Sequence, residues 1–307
     1  MALDDTLLPA LLERGLLAAT GVQGVYGRGA AFEDVLQRFD EYVTRELASE
    51  SAELVRFPPV LPRRTIERSG YLKSFPHLAG TIFSYGGDER GHADMLARVE
   101  SGEDWSASQS MTDVVLVPAA CYPVYPYVAA AGVLPPGGRT IDVSSYCFRH
   151  EPSDDPARMQ SFRMHELVRI GAPAEVEEWQ HAWIERGLSV LGRLGLAAES
   201  APANDPFFGR GGRLLAANQR AAELKFELLA PIAQSEAGTA IMSVNYHQDH
   251  FGSTYDIRTT TGEIAHTACL GFGLERVTLA LLVRHGHDPA AWPVEVRRQL
   301  WTEEAAA

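Results

Sequence analysis

The stretch from Ile141 to Arg169 carries residue types that can bind a nucleoside triphosphate. Two strand-like runs flank Pro152–Ser161, a segment whose two prolines and two aspartates predict a loop. Because side chains alternate along a strand, Arg149 and Glu151 share one face of the first run. An arginine on that face can neutralise a phosphate through two hydrogen bonds. An ordinary amphipathic hairpin shows the same alternation, so this stretch alone leaves both interpretations open.

The second run places Phe162, Met164 and Glu166 on one face by the same rule. An aromatic ring at that position can stack on a purine base. Together with the arginine and the carboxylate of the first run, it makes a surface suited to ATP.

Two segments resemble signature motifs of class II aminoacyl-tRNA synthetases. The residues Phe148–Glu151, a loop with Arg158, and then Phe162 resemble motif 2, which we place at about 141–169. The sequence Gly271–Arg276 (GFGLER) resembles motif 3, which opens a helix and which we place at about 263–284.

A long helix followed by a strand is predicted upstream of these motifs. The helix is predicted from apolar residues at helical spacing, namely Phe32, Val35, Leu36, Phe39, Tyr42, Val43 and Leu47. The segment Leu54–Leu61 predicts a short strand that prolines stop, and Arg68–Pro76 resembles the corresponding region of seryl-tRNA synthetases. Helix and strand together resemble motif 1, at about 32–62, which implies a homodimer. Core packing alone would also account for the helix.

Cysteine replaces an expected carboxylate in the segment Val117–Pro123. Ordinary seryl-tRNA synthetases have a glutamate at the position of Cys121, and it holds the amino group of the substrate. A neutral thiol cannot replace that carboxylate as the partner of an ammonium group. A thiolate bound to zinc offers another solution, because the metal can take the amino nitrogen directly.

The residues Cys121, Glu166 and Cys269 resemble the zinc ligands of the atypical, zinc-dependent seryl-tRNA synthetases of methanogenic archaea. Three protein ligands with an open fourth position are typical of a zinc site that binds substrate. Without that resemblance, buried free cysteines would be the commoner interpretation. The remaining cysteine, Cys147, has no match and is interpreted as a strand core residue.

Further candidate residues lie outside the motifs. Asp205, in the turn 204–213, and Asn245, on a predicted strand Ile241–His247, are candidates for the substrate pocket. Glu263 is predicted to share a strand face with Cys269 and is the expected magnesium ligand. Residues 214–228 predict a helix. Arginines in and before it, Arg210, Arg213 and Arg220, form either a docking surface for an acidic partner or a solvated face.

Composition narrows the class of protein. The chain has 307 residues, 46% of them apolar, and a net charge of −13, which argues against a broad tRNA-binding face. Three cysteines predict a reducing, cytoplasmic location rather than a disulfide framework. The start of the chain has no basic segment of a secretory signal, and no apolar run reaches membrane-spanning length. A short helix is predicted within residues 1–20.

The combination resembles the bacterial amino acid:[carrier protein] ligases, which are truncated homologues of the zinc-dependent seryl-tRNA synthetases. The resemblance implies an α+β fold with an antiparallel sheet flanked by helices, and a single catalytic domain over 1–307 without a tRNA-binding domain. It implies activation of glycine or alanine with ATP and Mg²⁺. It also implies transfer of the aminoacyl group to the phosphopantetheine thiol of a carrier protein.

The resemblance assigns roles to individual residues. Arg149 and Arg276 would hold the α- and γ-phosphates, Glu151 the adenine amino group, and Phe162 the adenine ring. Arg158 would assist at the phosphates, Glu263 would bind magnesium, and one Zn²⁺ per subunit would hold the amino acid. Two other functions stay open: a small zinc-dependent seryl-type synthetase, and a non-catalytic subunit derived from a synthetase.

Overall fold

The computed structural model describes residues 7–232 and 238–301. The helices are α1 (Leu7–Glu13), α2 (Ala30–Leu47), α3 (Arg63–Arg68), α4 (Tyr71–Ser74), α5 (Glu89–Ser101), α6 (Val124–Ala130), α7 (Pro173–Arg193), α8 (Gly209–Ala221), α9 (His250–Tyr255), α10 (Leu274–His285) and α11 (Val294–Leu300). The strands are β1 (Leu17–Ala19), β2 (Tyr26–Arg28), β3 (Glu53–Val55), β4 (Val60–Pro62), β5 (Thr81–Tyr85), β6 (Gln109–Leu116), β7 (Arg139–Phe148), β8 (Ser161–Gly171), β9 (Glu199–Pro202), β10 (Lys225–Ala230), β11 (Thr239–Gln248) and β12 (His266–Gly273).

A seven-stranded sheet forms the centre of the protein, in the order β3-β7-β8-β12-β11-β10-β9. Its neighbouring strands are antiparallel except for the edge strand β3, which runs parallel to β7. A smaller sheet, β4-β6-β5, and the ribbon β1-β2 lie outside it. The helices α2, α7 and α10 contact the central sheet, which confirms the predicted α+β architecture.

The hairpin β7–β8 is the longest pairing in the sheet and leads into the predicted motif 2 loop. Its register runs from Arg139 opposite Ile170 to Phe148 opposite Ser161. On its other edge β8 pairs with β12, which brings Glu166 opposite Gly271. The two predicted motifs, far apart in sequence, therefore become neighbouring strands.

The predicted helix over Phe32–Leu47 is confirmed as α2. All seven residues of its predicted apolar stripe are buried. Phe39 packs edge-on against Phe272 of β12, with ring centroids 5.7 Å apart, and the Tyr42 hydroxyl donates to the Val190 carbonyl at 3.0 Å. The apolar face of α2 is thus used inside this chain.

Several predicted boundaries were wrong. The single strand predicted over Leu54–Leu61 is two strands in two sheets, because Pro58 and Pro59 interrupt it. The helix predicted over 214–228 ends at Ala221, and Lys225 begins a strand after Glu223 takes a left-handed conformation (φ 51°).

At the N-terminus the predicted helix is confirmed only as α1, and residues 1–6 lie outside the described part of the chain. Among the described residues, the longest helices are too polar to serve as membrane spans.

A buried histidine links α2 to the central hairpin. The Nδ1 atom of His165 lies 2.6 Å from Asp40 Oδ1, and its Nε2 atom lies 3.2 Å from Asp142 Oδ1. Asp142 also pairs with Arg56 at 2.8 Å. Burial alone would lower the pKa of His165, but the two carboxylates outweigh it and raise the pKa to about 9.

Stability should therefore fall at alkaline pH. At a pH below 6.5, the pKa in the unfolded chain, His165 is charged in both the folded and the unfolded protein, and its ion pairs contribute fully to stability. This contribution is lost as the pH rises through about 9, the pKa in the folded protein. We expect the free energy of unfolding to decrease by about 3 kcal/mol between pH 6 and pH 10 from this group. Denaturant unfolding across that range measures it. The variant His165→Gln serves as control, because it cannot titrate; an equal pH dependence in both proteins would contradict the assignment.

Candidate active site

A cavity of about 600 Å³ lies over the central sheet, between β8, β10, β11 and β12 on one side and α4 and α8 on the other. Ten of the eleven predicted site residues line it: Cys121, Arg149, Glu151, Arg158, Phe162, Glu166, Asp205, Asn245, Cys269 and Arg276.

The eleventh predicted site residue, Glu263, was placed wrongly by the sequence analysis. It is exposed in the turn that follows Gly262 and precedes β12, and it does not line the cavity. The strand predicted from Glu263 begins only at His266, because Gly262 (φ 84°) turns the chain.

Three potential metal ligands meet in the interior of the cavity. Cys121 lies just before α6, Glu166 on β8 and Cys269 on β12, and their ligand atoms lie within 4.8 Å of one another. Both cysteines are 4% exposed and Glu166 is 1% exposed. The backbone N–H of Ala120 donates to Glu166 Oε1 at 2.7 Å, which fixes the carboxylate next to Cys121.

The three side chains of this trio shift one another's pKa values. Burial, followed by the charge of Cys269, raises the pKa of Glu166 to about 8. A hydrogen bond between the two cysteines raises the pKa of the Cys121 thiol and lowers that of Cys269. Without a cation the site therefore does not hold three negative charges. Two thiolates and a carboxylate are donors that suit zinc, and metal binding would release their protons.

Two polar side chains surround Cys269. The Asn245 amide Nδ2 donates to its sulfur at 3.6 Å, and His247 Nε2 lies 3.7 Å from it. The other ring nitrogen of His247 lies 3.2 Å from Thr267 Oγ1, which fixes the ring. Neighbours of this kind orient a ligand and tune its basicity.

The other end of the cavity is rich in arginine. The Arg149 Nε atom donates to the Pro118 carbonyl at 3.0 Å, and its guanidinium lies 5.4 Å from the centroid of the Phe162 ring. Arg276 donates to the carbonyls of Ala157 at 2.8 Å and Ala240 at 3.0 Å.

Arg149 and Arg276 form no ion pair with a carboxylate of residues 7–232 or 238–301. Enclosure, followed by the charges of Arg149 and Arg158, lowers the pKa of Arg276. Two partly enclosed arginines, Arg149 and Arg276, without an acidic partner in the described part of the chain make this end of the cavity suitable for an anion.

Sequence reasoning missed a buried lysine. Lys225, which is 8% exposed, lies 2.5 Å from Asp205 Oδ1 and 3.2 Å from Glu227 Oε1, and all three residues line the cavity. Gln219 of α8 donates to Asp205 Oδ2 at 2.8 Å, so the network ties α8 to β10. The alternation of Lys225 and Glu227 with a period of two residues indicated a strand, but both residues lay within a segment that was predicted to be a helix.

The absence of a side chain at Gly271 makes room for Glu166. A Cβ atom at Gly271 would lie 3.1 Å from both Glu166 Cγ and Met164 Cε. We expect Gly271→Ala to displace the carboxylate by a few tenths of an ångström and to lower metal affinity and activity about tenfold. Metal titration and pyrophosphate exchange measure the two effects. Gly192→Ala is the control, since its Cβ meets nothing within 4 Å on the exposed side of α7; equal behaviour of the two variants would refute the crowding argument.

The fold matches solved seryl-tRNA synthetases. The Methanopyrus kandleri enzyme, in complex with Aquifex aeolicus tRNASec, superposes with a TM-score of 0.81 at 21% identity over 98% of this chain. The Pyrococcus horikoshii seryl-tRNA synthetase complexed with ATP gives a TM-score of 0.67 at 17% identity over 91% of this chain. The present chain spans 60% and 59% of those two chains. The fold is that of the class II aminoacyl-tRNA synthetases.

Sequence comparison identifies the family more specifically than the fold does. No model of a known protein family matches the chain. The type-2 serine–tRNA ligase of Methanopyrus kandleri is 29% identical over 294 residues, which cover 88% of this chain and 55% of that protein. Two proteins of Bradyrhizobium diazoefficiens, amino acid–[acyl-carrier-protein] ligases 2 and 1, are each 46% identical. They match over 286 and 284 residues, which are 93% and 92% of this chain and 85% and 86% of theirs. The chain therefore belongs to the family of amino acid–[acyl-carrier-protein] ligases.

Proposed function

We propose that this protein activates a small amino acid, glycine or alanine, with ATP and transfers it to the phosphopantetheine thiol of a carrier protein. One observation carries the proposal: a single cavity joins a zinc-type donor set to an arginine cluster. The first can hold an amino group and the second a triphosphate. The names of the two relatives at 46% identity agree with it.

ATP occupies the arginine end. Arg149 holds the α-phosphate and Arg276 the γ-phosphate, which gives the two unpaired cations their anionic partners. Phe162 stacks on the adenine ring, and Glu151 accepts from the adenine amino group. The magnesium ion that accompanies ATP takes its protein ligands from carboxylates that line the cavity, such as Glu227, rather than from Glu263.

The amino acid occupies the other end. Cys121, Glu166 and Cys269 would hold one zinc ion, which supplies a Lewis-acidic position for the amino nitrogen. Asn245 and His247 keep the Cys269 sulfur oriented. An amino acid held there by its amino group would share the cavity with Arg149, which lines it as well.

The reaction has two steps. A carboxylate oxygen attacks the α-phosphorus, and pyrophosphate leaves while the arginines neutralise the developing charge. The phosphopantetheine sulfur then attacks the acyl carbon, a thioester forms, and AMP leaves. None of the protein side chains has to act as a covalent nucleophile.

The carrier protein docks near α8. Leu215, Asn218 and Gln219 of this helix line the cavity, and its exposed residues include Arg213, Leu214 and Leu215. An arginine beside an exposed leucine suits an acidic partner with an apolar contact.

The protein forms a homodimer in this proposal. Because the apolar face of α2 is buried in its own chain, its interface uses other surfaces, such as exposed Leu54 on the edge strand β3.

The test offers labelled glycine and alanine, with ATP, to bulk tRNA and to a phosphopantetheinylated carrier protein side by side. We expect label on the carrier alone, and the preferred label identifies the substrate. Label on tRNA would instead favour the seryl-type synthetase. No label on either acceptor, together with no amino-acid-dependent ATP–pyrophosphate exchange, would favour a non-catalytic subunit.

A further inference from the structure

Tyr71 is a buried side chain whose hydroxyl has no partner in the protein. The residue opens α4, within the segment Arg68–Pro76, and is 5% exposed. It lines the cavity, and its hydroxyl makes no hydrogen bond to any residue of the described chain. A phenylalanine would fill the same space without burying an unsatisfied polar group, which costs free energy. The hydroxyl of this cavity-lining residue is therefore a candidate donor for a bound ligand.

The ring of Tyr71 is held firmly. It packs edge-on against Tyr122, with centroids 5.5 Å apart, and at a tilt against Phe75 at 5.2 Å. Its backbone N–H donates to Ser69 Oγ at 3.3 Å, and its carbonyl accepts from the Phe75 N–H at 2.7 Å. Ring and backbone contacts together fix where the hydroxyl lies, so it is positioned before any ligand arrives.

The surroundings of Tyr71 define the chemistry of that ligand. Burial raises the pKa of Tyr71 to about 12. Arg149, whose charge acts in the opposite direction, lines the same cavity, as do Glu151 and Asp205, whose charges add to the rise. The phenol stays protonated at physiological pH and is available as a donor. A neutral donor in a cavity that also holds a guanidinium without an ion pair among the described residues suits an anionic oxygen.

We propose that the Tyr71 hydroxyl donates a hydrogen bond to an anionic oxygen of the reacting substrates, in the cavity that Arg149 also lines. This inference rests on the proposed function. The oxygen belongs either to the carboxylate of the amino acid, which becomes the acyl oxygen of the adenylate, or to the α-phosphate of ATP. Tyr71 is thereby a further substrate-binding residue, in addition to those that the family motifs assign.

The test compares Tyr71→Phe with the wild-type protein in three measurements: the Kd of ATP, the KM of the amino acid and kcat in pyrophosphate exchange. One hydrogen bond to a charged group is worth about 10-fold to 100-fold. A rise of that size in the amino-acid KM at unchanged ATP affinity identifies the carboxylate. A weaker ATP affinity identifies the phosphate, and a fall in kcat alone identifies a bond made only in the transition state.

The control is Tyr255→Phe, which removes a buried hydroxyl that bonds only to the Thr65 carbonyl, at 3.3 Å, outside the cavity. We expect its kinetics to equal those of the wild type. Since the Tyr71 hydroxyl has no protein partner, Tyr71→Phe should melt at or slightly above the wild-type temperature. Wild-type kinetics in Tyr71→Phe would overturn the inference and leave the proposed function standing. A wild-type protein without exchange or transfer would instead overturn the proposed function.

Discussion

Replacing Cys269 with serine is expected to remove zinc from the protein and to lower amino-acid-dependent ATP–pyrophosphate exchange by more than about a hundredfold. Serine is nearly isosteric with cysteine, but its hydroxyl does not ionise at neutral pH and is a poor zinc ligand. Without the metal, the buried Glu166 takes up a proton, because burial raises the pKa of its carboxyl group. The amino group of the substrate then loses its partner. Cys121→Ser should behave in the same way.

Cys147→Ala provides the matched control. Cys147 is as buried as the other two cysteines, but it lies on β7 outside the cavity and outside the ligand trio. Metal analysis should give one zinc per chain for the wild type and for Cys147→Ala, and a markedly lower content for Cys121→Ser and Cys269→Ser. A native protein that contains no zinc, or full exchange activity in both serine variants, would contradict the zinc site.

The elements that were predicted correctly are those whose residue pattern follows one local rule, either helical spacing or strand alternation. The seven apolar residues of α2 recur at helical spacing, and burial of one helix face is what stabilises such a segment. The hairpin β7–β8 was predicted because two alternating runs enclose a loop rich in proline and aspartate. Its alternation also identified the face on which Phe162, Met164 and Glu166 point into the cavity.

Tertiary contacts decided the features that were missed. Residues 225–228 fell within the helix predicted over 214–228, yet pairing with β9 and β11 makes Lys225–Ala230 a strand. Buried Lys225 is tolerated only because Asp205 and Glu227 lie next to it, and no local pattern announces such partners. For Glu263, Gly262 indicated a turn, but the prediction of a strand that Glu263 shares with Cys269 was preferred.

The register between β8 and β12 explains how one cavity can serve two substrates. Phe162 and Glu166 lie four residues apart on one face of β8, so the proposed purine platform and a proposed metal ligand are joined by one rigid strand. On β12, Cys269 and Gly273 lie on the same face, and Arg276 follows in the first turn of α10. Sheet geometry therefore fixes the positions of Glu166 and Cys269, whereas Cys121, Arg149 and Arg158 lie in the segments that connect strands and helices.

Arg276→Ala is expected to abolish adenylate formation while the protein stays folded. The guanidinium of Arg276 lies among Arg149 and Arg158 without an acidic partner in the described chain, so its charge is available to the triphosphate. Loss of an arginine that neutralises a transferring phosphate costs about a thousandfold or more in rate. We expect that loss in pyrophosphate exchange, with only a moderate decrease in melting temperature from the broken hydrogen bonds to Ala157 and Ala240.

The same helix offers the control for this prediction. Arg284 lies eight residues further along α10, is exposed, and donates to the Gly195 carbonyl at 3.2 Å, away from the cavity. Arg284→Ala removes the same charge from the same element, so it should leave exchange unchanged. Circular dichroism establishes that both variants keep their helices. Near-normal exchange in folded Arg276→Ala would show that the triphosphate does not depend on this arginine, and the placement of ATP along the cavity would have to be reversed.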